Sequence, residues 1–215
     1  MKIYKISILL LLILGLTGCK SPAATDSSKS TSAKTETNQV CPDEYTVKLK
    51  TTQGDILIDV KKEWAPLGAQ RFYTLVKENY YTDVAFFRVI DGFIAQFGIS
   101  GDPELNTKWR NNKIDDDPVK HDNTTGTVTF AMGGPGTRTT QIFINFKDNK
   151  PLDKMGFAPF GIIKDMTNVN KLYSGYGEGA PRGQGPSQML LQTKGSEYLK
   201  PAFPKMDYIL NASIL

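Results

Sequence analysis

FFRVIDGFIAQFG, residues 86–98, holds ten apolar or glycine residues among its thirteen. That density is typical of buried β-structure, and Asp91-Gly92 in its middle offers a turn between two strands. Arg88 is out of place in such a stretch, because the nearest acidic residue along the chain is Asp91. A two-residue turn at Asp91-Gly92 would set Arg88 opposite Ala95 and send Gln96 to the other face. The two polar side chains share a face only if a bulge or a longer turn intervenes.

Outward from this stretch, short segments of strand character recur: Tyr45–Lys50, Asp55–Val60, Ala85–Ile90, Phe93–Phe97, Thr127–Ala131, Ile142–Asn145, Phe160–Ile163 and Tyr208–Leu215. The first two alternate apolar with polar residues around Thr-Gln-Gly, which predicts a half-buried hairpin. Pro66–Asn79 has proline in its first turn and an apolar face of Ala69, Phe72, Leu75 and Val76, so a helix is expected there. Further helices are expected over Asp165–Tyr173 and over Ser187–Lys194, the latter opening on a capping serine and ending at Gly195. Many short strands with few helices predict a mainly β fold, a closed or nearly closed barrel capped by helices.

The N-terminus has a different character. Lys2 and Lys5 precede an apolar run from Ile6 to Leu16, and Leu16-Thr17-Gly18-Cys19 follows. This is the layout of a secretory signal peptide, with an apolar run too short for an ordinary membrane span. Leu-Thr-Gly-Cys resembles a bacterial lipobox. That implies a signal over residues 1–18, lipidation at Cys19 and a protein exported and anchored to the bacterial cell membrane or outer membrane; the alternative is a plain signal peptide with a chance cysteine. Residues 20–43 are rich in Ser, Thr, Ala and Lys; with so little to bury, they are expected to form a flexible tether holding the domain roughly 25–30 Å from its anchor. Cys41 would then be a free thiol or bridge to another chain. Residues 44–215 are the size of one domain with a substantial core. Loss of Lys2 and Lys5 with the signal takes the formal charge from +4 to +2, and without a basic block nucleic acid is not an expected partner.

Three motifs, RVIDGFIAQFG, GTVTFAMGGPGTRTTQIFIN and LDKMGFAPFG, follow one another from Arg88 to Gly161. In sequence and order they closely resemble the cyclophilins, the peptidyl-prolyl cis-trans isomerases; the resemblance runs from about Tyr45 to Ile163. Beyond it, SGYGEGAPRGQGPSQ and YLKPAFPKMDYI look like the C-terminal extension of a bacterial branch of that family. The resemblance implies a closed eight-stranded antiparallel barrel with a proline pocket on its outer surface, and a helical extension. It also implies catalytic roles for Arg88, Phe93 and Gln96. Substrate-binding roles fall to Ile94, Ala131, Met132, Gln141, Phe143, Leu152 and Phe157, and the partner of Arg88 is expected to be the substrate in place of any carboxylate of the chain. Its partners would be proline-containing, unfolded exported proteins, bound by a monomer that needs neither cofactor nor metal.

The sequence departs from the commoner family pattern at Phe87 and Phe157, where histidine is usual, and at Met132, where asparagine is usual. Pro151 stands where tryptophan is frequent, which implies weaker cyclosporin binding. Bland readings stand beside the functional ones. Each phenylalanine could be core, Asp115–Asp117 a solvated loop, and His121 a surface residue. Gly133-Gly134-Pro135-Gly136 lacks the spacing of a phosphate loop. A rival reading keeps fold and pocket but makes the chain an anchored protein that binds proline-containing segments without turnover.

Overall fold

The computed structural model describes residues 39–215. The expected signal segment over residues 1–18, Cys19 and most of the expected tether lie outside the described residues. The chain packs further towards its N-terminus than the expected tether allows. Cys41 is 3% exposed and packs in the core, and its backbone N–H donates to the Gln70 side chain. A buried thiol is shielded from a second chain, which argues against the intermolecular bridge; burial also pushes its pKa up.

Strands β1 (Glu44–Thr51) and β2 (Gly54–Lys61) form the expected hairpin, paired from Glu44↔Lys61 to Thr51↔Gly54 around Thr52-Gln53. Alternation puts Val47, Leu49, Ile58 and Val60 in the core and leaves Leu57 facing outward. The other strands are β3 (Val84–Ala85), β4 (Arg88–Ile90), β5 (Ile94–Phe97), β6 (Thr127–Phe130), β7 (Ile142–Asn145), β8 (Pro159–Ile162) and β9 (Tyr208–Ile214). All pair antiparallel in one sheet of order β3-β9-β1-β2-β8-β6-β7-β5-β4. The count is nine rather than eight, since the stretch expected as one strand from Ala85 divides at Phe86-Phe87 into β3 and β4. The sheet curls around its core, but no ladder pairs its end strands β3 and β4 among the described residues.

Helix α1 (Pro66–Lys77) lays Ala69, Phe72, Leu75 and Val76 on the core, and the Phe72 ring meets Tyr81 and Phe160. Its first turn is capped from a distance. Ala65 has no side chain able to accept a hydrogen bond, and both Asp117 carboxylate oxygens accept from the Leu67 and Gly68 N–H groups at 2.9 Å. The same carboxylate pairs with buried Arg138 at 3.0 Å, while Asp116 accepts from the Gly136 N–H. Asp115–Asp117 is therefore an anchor in its buried part, not the solvated loop its composition suggests.

Two helices escape the sequence patterns, α2 (Pro103–Arg110) and the single turn α3 (Pro151–Lys154), whereas Asp165–Tyr173 contains only a 3-10 turn over Val169–Lys171. Helix α4 (Gln188–Ala202) begins at the expected cap, Ser187 accepting from the Leu190 N–H. It breaks at Gly195 as expected, with φ 55° and ψ −137°, but then resumes to Ala202. At that break Ser196 donates its N–H to the Gly101 carbonyl, tying α4 to the loop before α2. Leu191 and Leu199 of α4 cover Phe87, Ala85 and Ile99 in a second apolar cluster. Phe87 is thus buried beneath the C-terminal extension, which gives an apolar residue there a packing role.

Candidate active site

The hairpin β4–β5 settles the conflict over Arg88 and Gln96. Its turn has three residues, Asp91-Gly92-Phe93, closed by the Phe93 N–H donating to the Ile90 carbonyl. Gly92 takes φ +63°, a conformation glycine adopts without penalty. The register becomes Arg88↔Gln96, and on the next strands Gln96↔Phe143 and Thr129↔Phe143. Arg88, Gln96, Phe143 and Thr129 thus form one row across the outer face of the sheet. Their neighbours Val89, Ala95, Ile144 and Val128 point into the core.

The row is tied laterally. Arg88 Nη1 donates to Gln96 Oε1 at 3.1 Å, and Gln96 Nε2 donates to Gln141 Oε1 at 2.9 Å. The Arg88 guanidinium lies 5.7 Å from the Phe93 ring centre, close enough for a cation–π contact. Phe143 and Phe157 meet edge to face at 5.6 Å between centres. Ile94 is buried on the same face, and Leu152 and Phe157 are half-buried where α3 meets β8. Ala131 and Met132 continue β6 at the rim, the Ala131 N–H donating to the Gln141 carbonyl at 2.9 Å. Arg88, Phe93, Ile94, Gln96, Gln141, Phe143 and Phe157 are thus brought together on this side of the sheet, with Ala131 and Met132 at the end of β6 and Leu152 in the turn that leads to Phe157.

A buried polar network that periodicity does not reveal holds the aromatic wall. Asn149 donates to the carbonyl of Phe93 at 3.0 Å and to Asn145 at 2.7 Å. Asn145 in turn donates to Asn123, and Asn123 donates to the Phe157 carbonyl at 2.8 Å and to Asp153 at 2.7 Å. Satisfied amides in a low-dielectric interior fix one geometry, because any rearrangement would leave a buried polar group unpaired. Three asparagines clustered in space but spread over the sequence leave no local signal, although Asn145 within a strand is unusual.

The expectation that Arg88 has no carboxylate within the chain is overturned. Glu178 accepts from Arg88 Nε through Oε1 and from Nη2 through Oε2, each at 2.7 Å. Ninety positions separate the two residues, so no local pattern could join them. Asp91, the nearest in sequence, instead accepts from the Ser174 hydroxyl. Glu178 sits in the loop between the 3-10 turn and α4, which bridges to β4 through Val89↔Gly177, and its Oε1 also accepts from the Gly179 N–H. The Arg88 hydrogen bonds hold its carboxyl below the usual carboxylate value of 4.5, partly offset by burial. Any stability from the pair is accordingly present above that value and lost as pH falls through the lower value in the folded protein.

Residues 46–188 match the family model described as "Cyclophilin type peptidyl-prolyl cis-trans isomerase/CLD". A peptidyl-prolyl cis-trans isomerase of Acinetobacter baylyi is 36% identical over 138 residues, covering 59% of this chain and 70% of that protein. The human peptidyl-prolyl cis-trans isomerase-like 3 is 36% identical over 126 residues, covering 55% of this chain and 75% of its own length. The crystal structure of a cyclophilin-type peptidyl-prolyl cis-trans isomerase from Cryptosporidium parvum shares the fold with a TM-score of 0.59 at 21% identity, over 80% of this chain and 98% of that one. With the matched segment spanning every element from β1 to the start of α4, the chain belongs to the cyclophilin-type peptidyl-prolyl cis-trans isomerases.

Proposed function

We propose that this isomerase acts at the bacterial cell envelope on exported, incompletely folded proteins, as a monomer tethered through lipid on Cys19, with Arg88 as its central catalytic group. The observation that carries the site assignment is the row Arg88–Gln96–Phe143 beside the rings of Phe93 and Phe157.

Rotation about an X-Pro bond must break amide resonance, against a barrier of ~18–20 kcal/mol. As the bond twists, the prolyl nitrogen regains a lone pair. Glu178 and Gln96 engage three of the five guanidinium N–H groups of Arg88. The two that remain can donate to that nitrogen, in a bond present mainly in the transition state, which is how binding lowers a barrier.

Gln96 and Gln141 position the substrate backbone. The Ala131 N–H is used within the sheet, so Ala131 offers a peptide its carbonyl, and Met132 contributes backbone groups. Phe93, Ile94, Phe143, Leu152 and Phe157 enclose the proline ring and exclude water, which favours the less charge-separated twisted amide. An Ala-Pro dipeptide accompanied the Cryptosporidium parvum protein in a second crystal structure, a ligand of the class this pocket is suited to hold.

The sequence of residues 1–19 supports the anchor. Wild-type protein is expected to partition into the detergent phase after phase separation, whereas Cys19→Ser should accumulate as an unprocessed or aqueous-phase form. Deletion of residues 1–38 should leave isomerase activity intact, because no site residue lies there. Wild-type protein in the aqueous phase would refute the anchor, and so the envelope assignment that depends on it.

A further inference from the structure

We infer that Glu178, contributed by the loop before α4, is a positioning residue that locks the Arg88 guanidinium into its reactive orientation. The inference rests on the proposed catalytic role of Arg88. An arginine side chain has four rotatable bonds, and one projecting from a three-residue strand would sample many rotamers if unrestrained. Here each side of it is fixed. Glu178 grips the Nε–Nη2 edge in two parallel bonds of 2.7 Å, Gln96 accepts from Nη1 at 3.1 Å, and the Phe93 ring lies alongside at 5.7 Å. Two-point contact of this kind sets the plane of the guanidinium as well as its place.

The carboxylate is itself restrained. Glu178 Oε1 accepts the Gly179 N–H at 2.9 Å, the Gly185 N–H donates to the Glu178 carbonyl at 2.9 Å, and the loop bridges to β4 at Val89↔Gly177, adjacent to Arg88 itself. A chain of contacts thus runs from the loop backbone through one carboxylate to the donor that the reaction uses. The Arg88 side chain remains 17% exposed, and its two uncommitted N–H groups stay available to a peptide. Electrostatic stabilisation is effective when the donor is already aimed before the charge develops, and misplacement of a reacting group by about 1 Å can lower rates by ~10²-fold.

The test is a double-mutant cycle in the full-length protein, read as kcat and KM for isomerisation of a proline-containing peptide, with the thermal midpoint recorded for each variant. Glu178→Ala is expected to lower kcat about tenfold, within the range misplacement produces, with KM changed less than about twofold. Glu178→Gln, which keeps one acceptor and the shape, should fall in between. In an Arg88→Ala background the same Glu178 substitutions should have no further effect, because nothing remains to be positioned. A loss of activity that persists without Arg88 would overturn the inference, as would a Glu178→Ala enzyme with unchanged or raised kcat, which would mark the carboxylate as idle or as a restraint. Wild-type rates for Arg88→Ala alone would instead overturn the catalytic reading of Arg88, and the inference with it.

Discussion

Arg88→Ala is expected to lower kcat/KM by about ten- to a hundredfold. A hydrogen bond from a charged donor contributes ~1.5–3 kcal/mol, and each 1.36 kcal/mol corresponds to about tenfold in rate. Arg88→Lys should recover only part of the loss. One ammonium cannot engage both Glu178 oxygens and Gln96 and still present a donor to the substrate in the same plane. Stability should change little by comparison. The Glu178 side chain is 35% exposed, and partly solvated ion pairs contribute little. Steady-state kinetics with a proline-containing peptide, together with a melting curve, separate the two effects. A variant that melts far below wild type yet isomerises at the wild-type rate while folded would show the arginine to be structural.

Asp117→Ala should produce the largest loss of stability, about 3–5 kcal/mol, the range for breaking a buried ion pair by removing one partner. The Asp117 and Arg138 side chains are each 3% exposed. Truncation leaves the guanidinium with only Asp116, at 3.4 Å, and the Asp115 carbonyl. It also leaves the N–H groups of Leu67 and Gly68 without their acceptors at the N-terminus of α1. For a domain of this size the loss corresponds to a fall of roughly 6–20 °C in melting temperature, measurable by calorimetry or urea unfolding. Asp117→Asn keeps an acceptor for the helix but not the charge, so it should lie between the two. Stability within about 1 kcal/mol of wild type for Asp117→Ala would mean that the helix and Arg138 find other partners.

The hairpin β1–β2 was legible because one face meets water and the other the core, so its alternation survives in the sequence. The β4–β5 hairpin has no such contrast: Ile90 and Ile94 lie on the same face as Arg88 and Gln96. Its register depends on whether the turn holds two residues or three, which resemblance to a family resolved and periodicity did not. Helix α2 buries only Asn106 and Trp109, too narrow an apolar stripe to detect. Over Asp165–Tyr173 the opposite occurs. Asp165 accepts from the Thr167 N–H in a local turn, and only Val169 and Leu172 are buried, so a helical reading exceeds what the segment can support. Aromatic site residues were readable from their motifs. Glu178, Asn123 and Asn149 were not, since each acts on a residue brought near only by the fold, and Glu178 reverses the idea that Arg88 waits unpaired for its substrate.

The central claim is that this outer face, organised around Arg88, accelerates rotation about X-Pro bonds, and the most direct measurement is the cis-to-trans relaxation rate of an X-Pro peptide as a function of enzyme concentration. Without enzyme the relaxation takes tens to hundreds of seconds. The predicted result is a rate that rises linearly with the concentration of wild-type protein, with a slope about ten- to a hundredfold smaller for Arg88→Ala. A relaxation rate that stays at its uncatalysed value at every concentration of folded wild-type protein would contradict it.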